Sequence, residues 1–285
     1  MSKDVQGLVS SLFSCFLLTI VFSSVDQQII PRFIDNRAQF EAREQQSKTY
    51  NWAVFVAANV IVELVWQSLT SVLVFVAWYY PTGFWRNGLD DSSFTMDQRA
   101  TLMFLLIWVF FLFSSTLSQA IAAGLNDSLT AVNIANLLFT LCLLFCGILV
   151  QPDALAQFWI FMYRVDPFTY LMDGMIATAL ANTKLHCAAI DLLRIRLPAN
   201  ATSCDDYMSA YVITAGGQVL NPDATTGECL FCSIGDTNIA LEGLGINVAH
   251  RWRDLGLMAV YVVFNVAATF FIYWLARVPK GSKNG

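Results

Sequence analysis

Ala100–Asn126 reads ATLMFLLIWVFFLFSSTLSQAIAAGLN and contains no Asp, Glu, Lys or Arg. An α-helix rises about 1.5 Å per residue, so about 20 apolar residues cross a hydrocarbon core about 30 Å thick. Val5–Val25, Leu64–Trp85, Ser128–Gln151 and Leu255–Ala276 are uncharged over comparable lengths. In lipid the backbone must satisfy its own hydrogen bonds, which only helices or closed barrels achieve. These runs predict an all-α membrane protein with five transmembrane helices.

Composition agrees. Of 285 residues, 56% are hydrophobic and 13% charged, whereas soluble domains carry about 25% charged residues. The net charge of −5 says little, because orientation follows the placement of Lys and Arg rather than the sum. No basic run points to nucleic acid. Ser2-Lys3-Asp4 is a weak charged start, and the apolar run behind it is too long for a secretory signal core.

The first span, about Gly7–Gln28, is expected to end near Pro31. The charged stretch Arg32–Asn51 follows, with Arg32, Arg37, Arg43 and Lys48, and is the best cytoplasmic segment. Phe33 and Phe40 with Arg37, Glu41 and Glu44 suit one or two short amphipathic helices there. The second span, about Trp52–Tyr80, has aromatics at both ends, where headgroups lie. Pro81-Thr82-Gly83 ends it, and an acidic outer loop with Asp90, Asp91 and Asp97 follows. The third span is Arg99–Ala123, and Asp127 or Ser128 caps a fourth, about Leu129–Val150. Ala154–Thr183 is interrupted by Arg164, Asp166, Pro167 and Asp173 and predicts two half-helices, a re-entrant hairpin in the outer leaflet. The last span is about Trp252–Leu275, and Arg277, Lys280 and Lys283 place the end in the cytoplasm. Five crossings then put the N-terminus outside.

Cys187, Cys204, Cys229 and Cys232 cluster in the one long polar segment, Lys184–His250. In an oxidising compartment they read as two disulfides. Zinc is the competing reading, but only Cys229-Leu230-Phe231-Cys232 has metal-like spacing, so no metal site is expected. Asn200-Ala201-Thr202 is a glycosylation sequon in the same segment. Cys15, Cys142 and Cys146 lie inside apolar runs and read as packing residues. Ser114, Ser115, Ser118, Ala122 and Ala123 read as small residues that let helices approach. The two histidines, His186 and His250, meet no acid, base and nucleophile in the sequence, so no enzyme chemistry is expected on this chain.

Several strings carry a family resemblance: Ile30–Phe33 (IPRF), Glu41–Glu44 (EARE), Ser47–Trp52 (SKTYNW), Trp78–Phe84 (WYYPTGF), Phe145-Cys146-Gly147, Phe158–Tyr170 (FWIFMYRVDPFTY), Ala179–Asn182 and Tyr273–Lys280 (YWLARVPK). Over essentially its whole length the chain resembles the second membrane domain of fungal pleiotropic drug resistance transporters, of the ABC transporter G subfamily. It departs from that pattern in places. Val65 stands where the family usually has Pro, Asp166 where Ser is common, and Asp26 is an extra acid. The family domain has six crossings, so the resemblance implies that the first helix is missing and that Met1 begins a truncated chain. Residues 1–183 and 251–285 then form an incomplete transmembrane domain, and 184–250 an extracellular cysteine-rich segment.

The resemblance implies an ATP-driven exporter of hydrophobic or xenobiotic compounds in the plasma membrane. Its partners are a nucleotide-binding domain, a second transmembrane domain, lipid and hydrophobic small molecules. The chain lacks a G-x-x-x-x-G-K-[ST] loop, so ATP and Mg are expected on the partner and no cofactor here. Phe33–Tyr50 matches the coupling element, with Arg37, Glu41, Arg43 and Glu44 as charges for the soluble domain. The first and fourth spans would border the cavity, offering Ser14, Thr19 and Ser23 opposite Asn133, Asn136, Phe139 and Thr140. Interhelical hydrogen bonding is the competing use of these polar groups. Likeness to the family suggests Cys187–Cys232 and Cys204–Cys229 as the pairing. Glu63, an acid near mid-membrane, is either a cation or proton site or a structural ion pair, and an ATP-driven family favours the structural use. The rival readings are a truncated, non-transporting membrane protein and a passive channel with Glu63 as its selectivity residue.

Overall fold

Helix α4 (Met96–Gly124) runs through the middle of the molecule, and the other long helices pack around it. The computed structural model describes residues 4–88, 94–150, 154–183, 187, 191–198, 201–215, 217–225, 227–232 and 237–278. Among these, five helical stretches are long and apolar enough to cross a membrane: Val5–Glu44, Trp52–Thr82, Met96–Gly124, Ser128–Phe145 and Val248–Arg277. In α4, 67% of the most apolar stretch is buried against protein, against 17% in the second, fourth and fifth stretches. A helix apolar all round must be covered by protein or lipid. α4 takes the first course, while α3 (Trp52–Thr82), α5 (Ser128–Phe145) and α10 (Arg251–Arg277) turn large apolar faces outward. Small residues let neighbours approach α4: Ser114, Ser115, Ser118, Ala122 and Ala123 are all buried.

The first stretch is two helices, α1 (Val5–Thr19) and α2 (Val21–Gln39), joined at Ile20. Thr19 Oγ1 donates to Phe16 O just before the join. Pro31 does not end this stretch, contrary to the expectation. It sits inside α2, and the helix continues into a π-helical turn at Phe40–Glu44. A proline inside a helix costs about 3 kcal/mol. Burial of Ile29, Ile30, Phe33 and Ile34 on either side of it offsets that cost. The short amphipathic helices expected between residues 33 and 50 are thus the end of one long helix. Asn51 then caps α3 by accepting from Ala53 N, and Gly83, at φ 80°, ends it after Pro81 in its last turn.

Asp127 caps α5: its carboxylate accepts from Thr130 Oγ1 at 2.6 Å and Thr130 N at 2.8 Å. Those hydrogen bonds, the hydroxyl's first, hold this carboxyl below its usual range. The expected break at Asp166-Pro167 separates α6 (Ile160–Val165) from α7 (Pro167–Leu180). Asp166 caps α7 through Phe168 N, with Pro167 in the first turn, where its missing N–H is harmless. α7 packs against α4, α10 and α1, and nearly all its residues are buried. The second half-helix is therefore a core element rather than a lipid-facing one.

The polar segment between α7 and α10 contains a small antiparallel sheet that the all-α reading omits. Its order is β1 (Leu193–Arg196), β3 (Glu228–Cys232), β2 (Gln218–Val219), with Leu193 opposite Phe231 and Gln218 opposite Cys232. Helix α8 (Cys204–Ala215) lies against it. Cys187 is bonded to Cys232 and Cys204 to Cys229. At Gly217, φ is 90° and a Cβ would lie 2.4 Å from Cys232 O, so this strand entry needs glycine. The segment closes on itself where Asn238 Nδ2 donates to Asn182 Oδ1 and Asn182 N to Asn238 Oδ1, with Asn238 in the first turn of α9 (Thr237–Gly243). The sequon residue Asn200 lies outside the described residues.

Candidate translocation face and coupling segment

The end of the bundle that bears the π-turn, expected from its charges to be the inner end, is held by one buried arginine. Arg37, 3% exposed, donates from Nη1 to Ala122 O (2.6 Å) and Ala123 O (3.4 Å), and from Nη2 to Leu125 O (2.6 Å). A helix leaves its last carbonyls without intrahelical partners and with partial negative charge. α4 ends at Gly124, so Arg37 closes that end from a neighbouring helix. The guanidinium also approaches Glu41 at 3.8 Å. Arg37 is therefore turned into the bundle instead of outward as a charge for a soluble partner. Arg43 is exposed, Glu41 and Glu44 are half-buried, and Tyr50 donates its hydroxyl to Glu44. Around them Phe40 stacks on Phe55 at 4.7 Å and Trp52 on Tyr273 at 5.8 Å. This cluster joins α2, α3 and α10 by contact alone.

The proposed cavity residues separate into three groups. Ser23 donates to Asn136 Oδ1 at 2.5 Å, joining α2 to α5. Phe139 is buried, stacked on Phe22 at 4.9 Å and edge-on to Phe168 at 5.6 Å. Thr19 is buried with its hydroxyl on its own helix. Asn133 and Thr140 are exposed on α5, and Thr140 donates to Asn136 O, while Ser14 is half-buried on α1. So the structure brings Ser23, Asn136 and Phe139 to one contact and leaves Asn133 and Thr140 on an open face.

Glu63 has a partner that the sequence reading did not name. Arg32 Nη1 lies 3.7 Å from Glu63 Oε1, with side-chain exposures of 62% and 13%. Asn36 Nδ2 donates to Asn59 Oδ1 at 3.1 Å, and Gln119 Nε2 to Asn59 O at 3.2 Å. These groups line a cleft of about 170 Å³ between α2 and α3, floored by α4. α3 has 31 residues and is about 46 Å long, some 16 Å more than the hydrocarbon core. Glu63 is about 16 Å along the axis from Trp52 and about 25 Å from Tyr80, well inside the span. One signal in the sequence could have found the cleft: Arg32 and Asn36 are four apart on α2, as are Asn59 and Glu63 on α3.

At the opposite end of the bundle Arg99, 1% exposed, repeats the role of Arg37. It donates to Thr178 O at 3.0 Å, to Ala181 O and to Phe94 O, closing the last turn of α7. Asp26 is fully buried in the bundle, and Ser118 donates to its Oδ1. Neither role was visible in the sequence, where Arg99 reads as the polar end of a span.

Residues 2–180 match the family model described as ABC-2 type transporter. The chain is 47% identical over 281 residues to ABC multidrug transporter C of Aspergillus fumigatus, covering 99% of this chain and 18% of that protein. It is 48% identical over 279 residues to ABC multidrug transporter atrG of Aspergillus oryzae, covering 98% and 18%. With ABC multidrug transporter AFR2 of Cryptococcus neoformans var. grubii the identity is 46% over 277 residues, covering 97% and 18%. The chain thus spans about a fifth of the length of these relatives. Five apolar helical stretches, α4 among them, and a family match over residues 2–180 point the same way: this chain belongs to the ABC-2 type transporter family of membrane domains.

Proposed function

We propose that this chain forms part of the translocation pathway of an ATP-driven exporter of hydrophobic compounds. Its relatives carry the name multidrug transporter, which supports that substrate class. In this reading a nucleotide-binding domain docks at the inner end and a second transmembrane domain faces α1, α2 and α5. ATP and Mg belong to the nucleotide-binding partner. The protein works in the plasma membrane, with the disulfide-bonded segment outside and glycosylated at Asn200.

One observation carries the coupling part. The helix that meets α5 through Ser23 is the same helix that ends in the π-turn bearing Arg43. A push on that turn moves α2 as a rod, because a continuous helix transmits displacement along its axis. Arg37 passes the motion to the end of α4. Arg43 is then the contact residue for the soluble partner, and the expected effect of Arg43→Ala is a loss of dye efflux of at least fivefold. The assay uses efflux-deficient yeast expressing the complete transporter that contains this segment, with surface expression measured in parallel. Unchanged efflux at equal surface expression would end the coupling reading.

A further inference from the structure

The cleft between α2 and α3 lies away from the proposed translocation face. Arg32 follows Ser23 by nine positions, half a turn around the helix at about 100° per residue. It therefore points to the side opposite the Ser23–Asn136 contact.

The hydrogen bonds of the cleft fix which ends of its amides remain open. Asn59 Nδ2 donates to Phe55 O at 2.9 Å, and a carbonyl can only accept, so this amide has one orientation. Its Oδ1 therefore accepts from Asn36 Nδ2, which leaves the Asn36 Oδ1 as an acceptor on a residue that lines the cleft. Gln119 is fixed in the same way, because its Nε2 faces Asn59 O. Gln119 is 1% exposed, and its Oε1 accepts no hydrogen bond among the described residues. A buried acceptor without a donor forfeits the hydrogen bonds that water would have given it. With the Glu63 carboxylate, three acceptor groups line one small cleft of about 170 Å³. The only cation lining it, Arg32, reaches Glu63 loosely at 3.7 Å, and most of its side chain is exposed at the mouth.

Such a lining calls for a ligand rich in N–H donors and positively charged, small at its head and apolar behind. We propose that this cleft binds the primary ammonium group of a membrane amphiphile. Glu63 supplies the charge, and Gln119 Oε1 and Asn36 Oδ1 accept two of the three N–H bonds. Ile29 and Val62 at the cleft contact the first methylenes. Arg32 gives up its loose contact with Glu63, and its exposed guanidinium is placed to meet a phosphate if the amphiphile carries one. The ammonium comes from one of two sources, an ethanolamine phospholipid or a hydrophobic amine.

Native mass spectrometry of the full chain, titrated with dodecylamine and with dodecyltrimethylammonium, tests this directly. The two probes share chain length and charge, but the second has no N–H donor. The expected result is half-occupancy by dodecylamine at a concentration at least tenfold lower. Glu63→Gln keeps the shape of the side chain and is expected to abolish that preference. Phosphatidylethanolamine displacing dodecylamine, with phosphatidylcholine failing to do so, identifies the lipid as the source. Failure of both lipids to displace it identifies the hydrophobic amine. Equal binding of the two probes by the unmodified chain would overturn the proposal, as would a preference that survives Glu63→Gln.

Discussion

At the π-turn end of the bundle, the expected inner end, Arg37 closes the last turn of α4, and at the opposite, expected outer end Arg99 closes the last turn of α7. Both guanidiniums are buried, and both donate to carbonyls at the end of a helix far along the chain. What surrounds them differs. Arg37 sits among stacked rings and one half-buried carboxylate, all held by contact. Arg99 holds Ala181 O, next to Asn182, whose amide pairs with Asn238, and the chain between those two asparagines is tied by two disulfides. Contacts of the first kind can slide and re-form, whereas covalent ties hold one arrangement. The comparison assigns motion to the inner end and rigidity to the outer end.

The largest effects should come from the two arginines. Replacing either leaves buried carbonyls without donors, at about 1–3 kcal/mol each, so Arg37→Met and Arg99→Met should each cost about 3–5 kcal/mol. Hydrogen exchange locates the damage. Arg37→Met should loosen amides at the end of α4, and Arg99→Met those at the end of α7, each leaving the other end protected. Loss of protection at both ends from either variant would break the comparison.

Removing a disulfide should rank next. Cys204 and Cys229 are 25 residues apart, and chain entropy for a loop of that size is about 3–4 kcal/mol. Cys204→Ser with Cys229→Ser should speed proteolysis between those positions. Protection around Arg37 should stay unchanged, because no covalent tie reaches the inner end. The smallest effect belongs to the middle of the bundle. Ser23→Ala removes the bond to Asn136 and should cost only about 0.6 kcal/mol, the usual worth of such bonds between membrane helices. A loss several times larger would mean that the α2–α5 contact, and not the ends, holds the bundle.

The spans were legible because lipid imposes a length and a composition that five runs satisfy. The Asp127 cap and the Asp166-Pro167 break were legible too, since both act within a few residues of themselves. Pro31 misled because its local cost is outweighed by the burial of its neighbours, which only the fold reveals. Arg37 reads as a charge for a soluble partner and Arg99 as the first residue of a span, since nothing local shows that a buried helix terminus waits for each. The sheet in the outer segment is stabilised by disulfides and backbone pairing, and its strands are too short to show alternation. At the candidate site, residues on one helix face could be grouped by spacing. Whether that face met another helix or open space could not be read. Thus Ser23 and Asn136 meet, while Asn133 and Thr140, on the same helix as Asn136, do not join them.

The contrast between the two ends has meaning only if they lie on opposite sides of the membrane. Single cysteines test that, placed by Arg43→Cys or Ile213→Cys in a background where Cys15, Cys142 and Cys146 are replaced. Ile213 is 85% exposed on α8, and Arg43 is exposed on the π-turn. An impermeant maleimide applied to intact cells should label the position 213 variant at once and the position 43 variant only after permeabilisation. Labelling of position 43 in intact cells, with position 213 spared, would contradict the account.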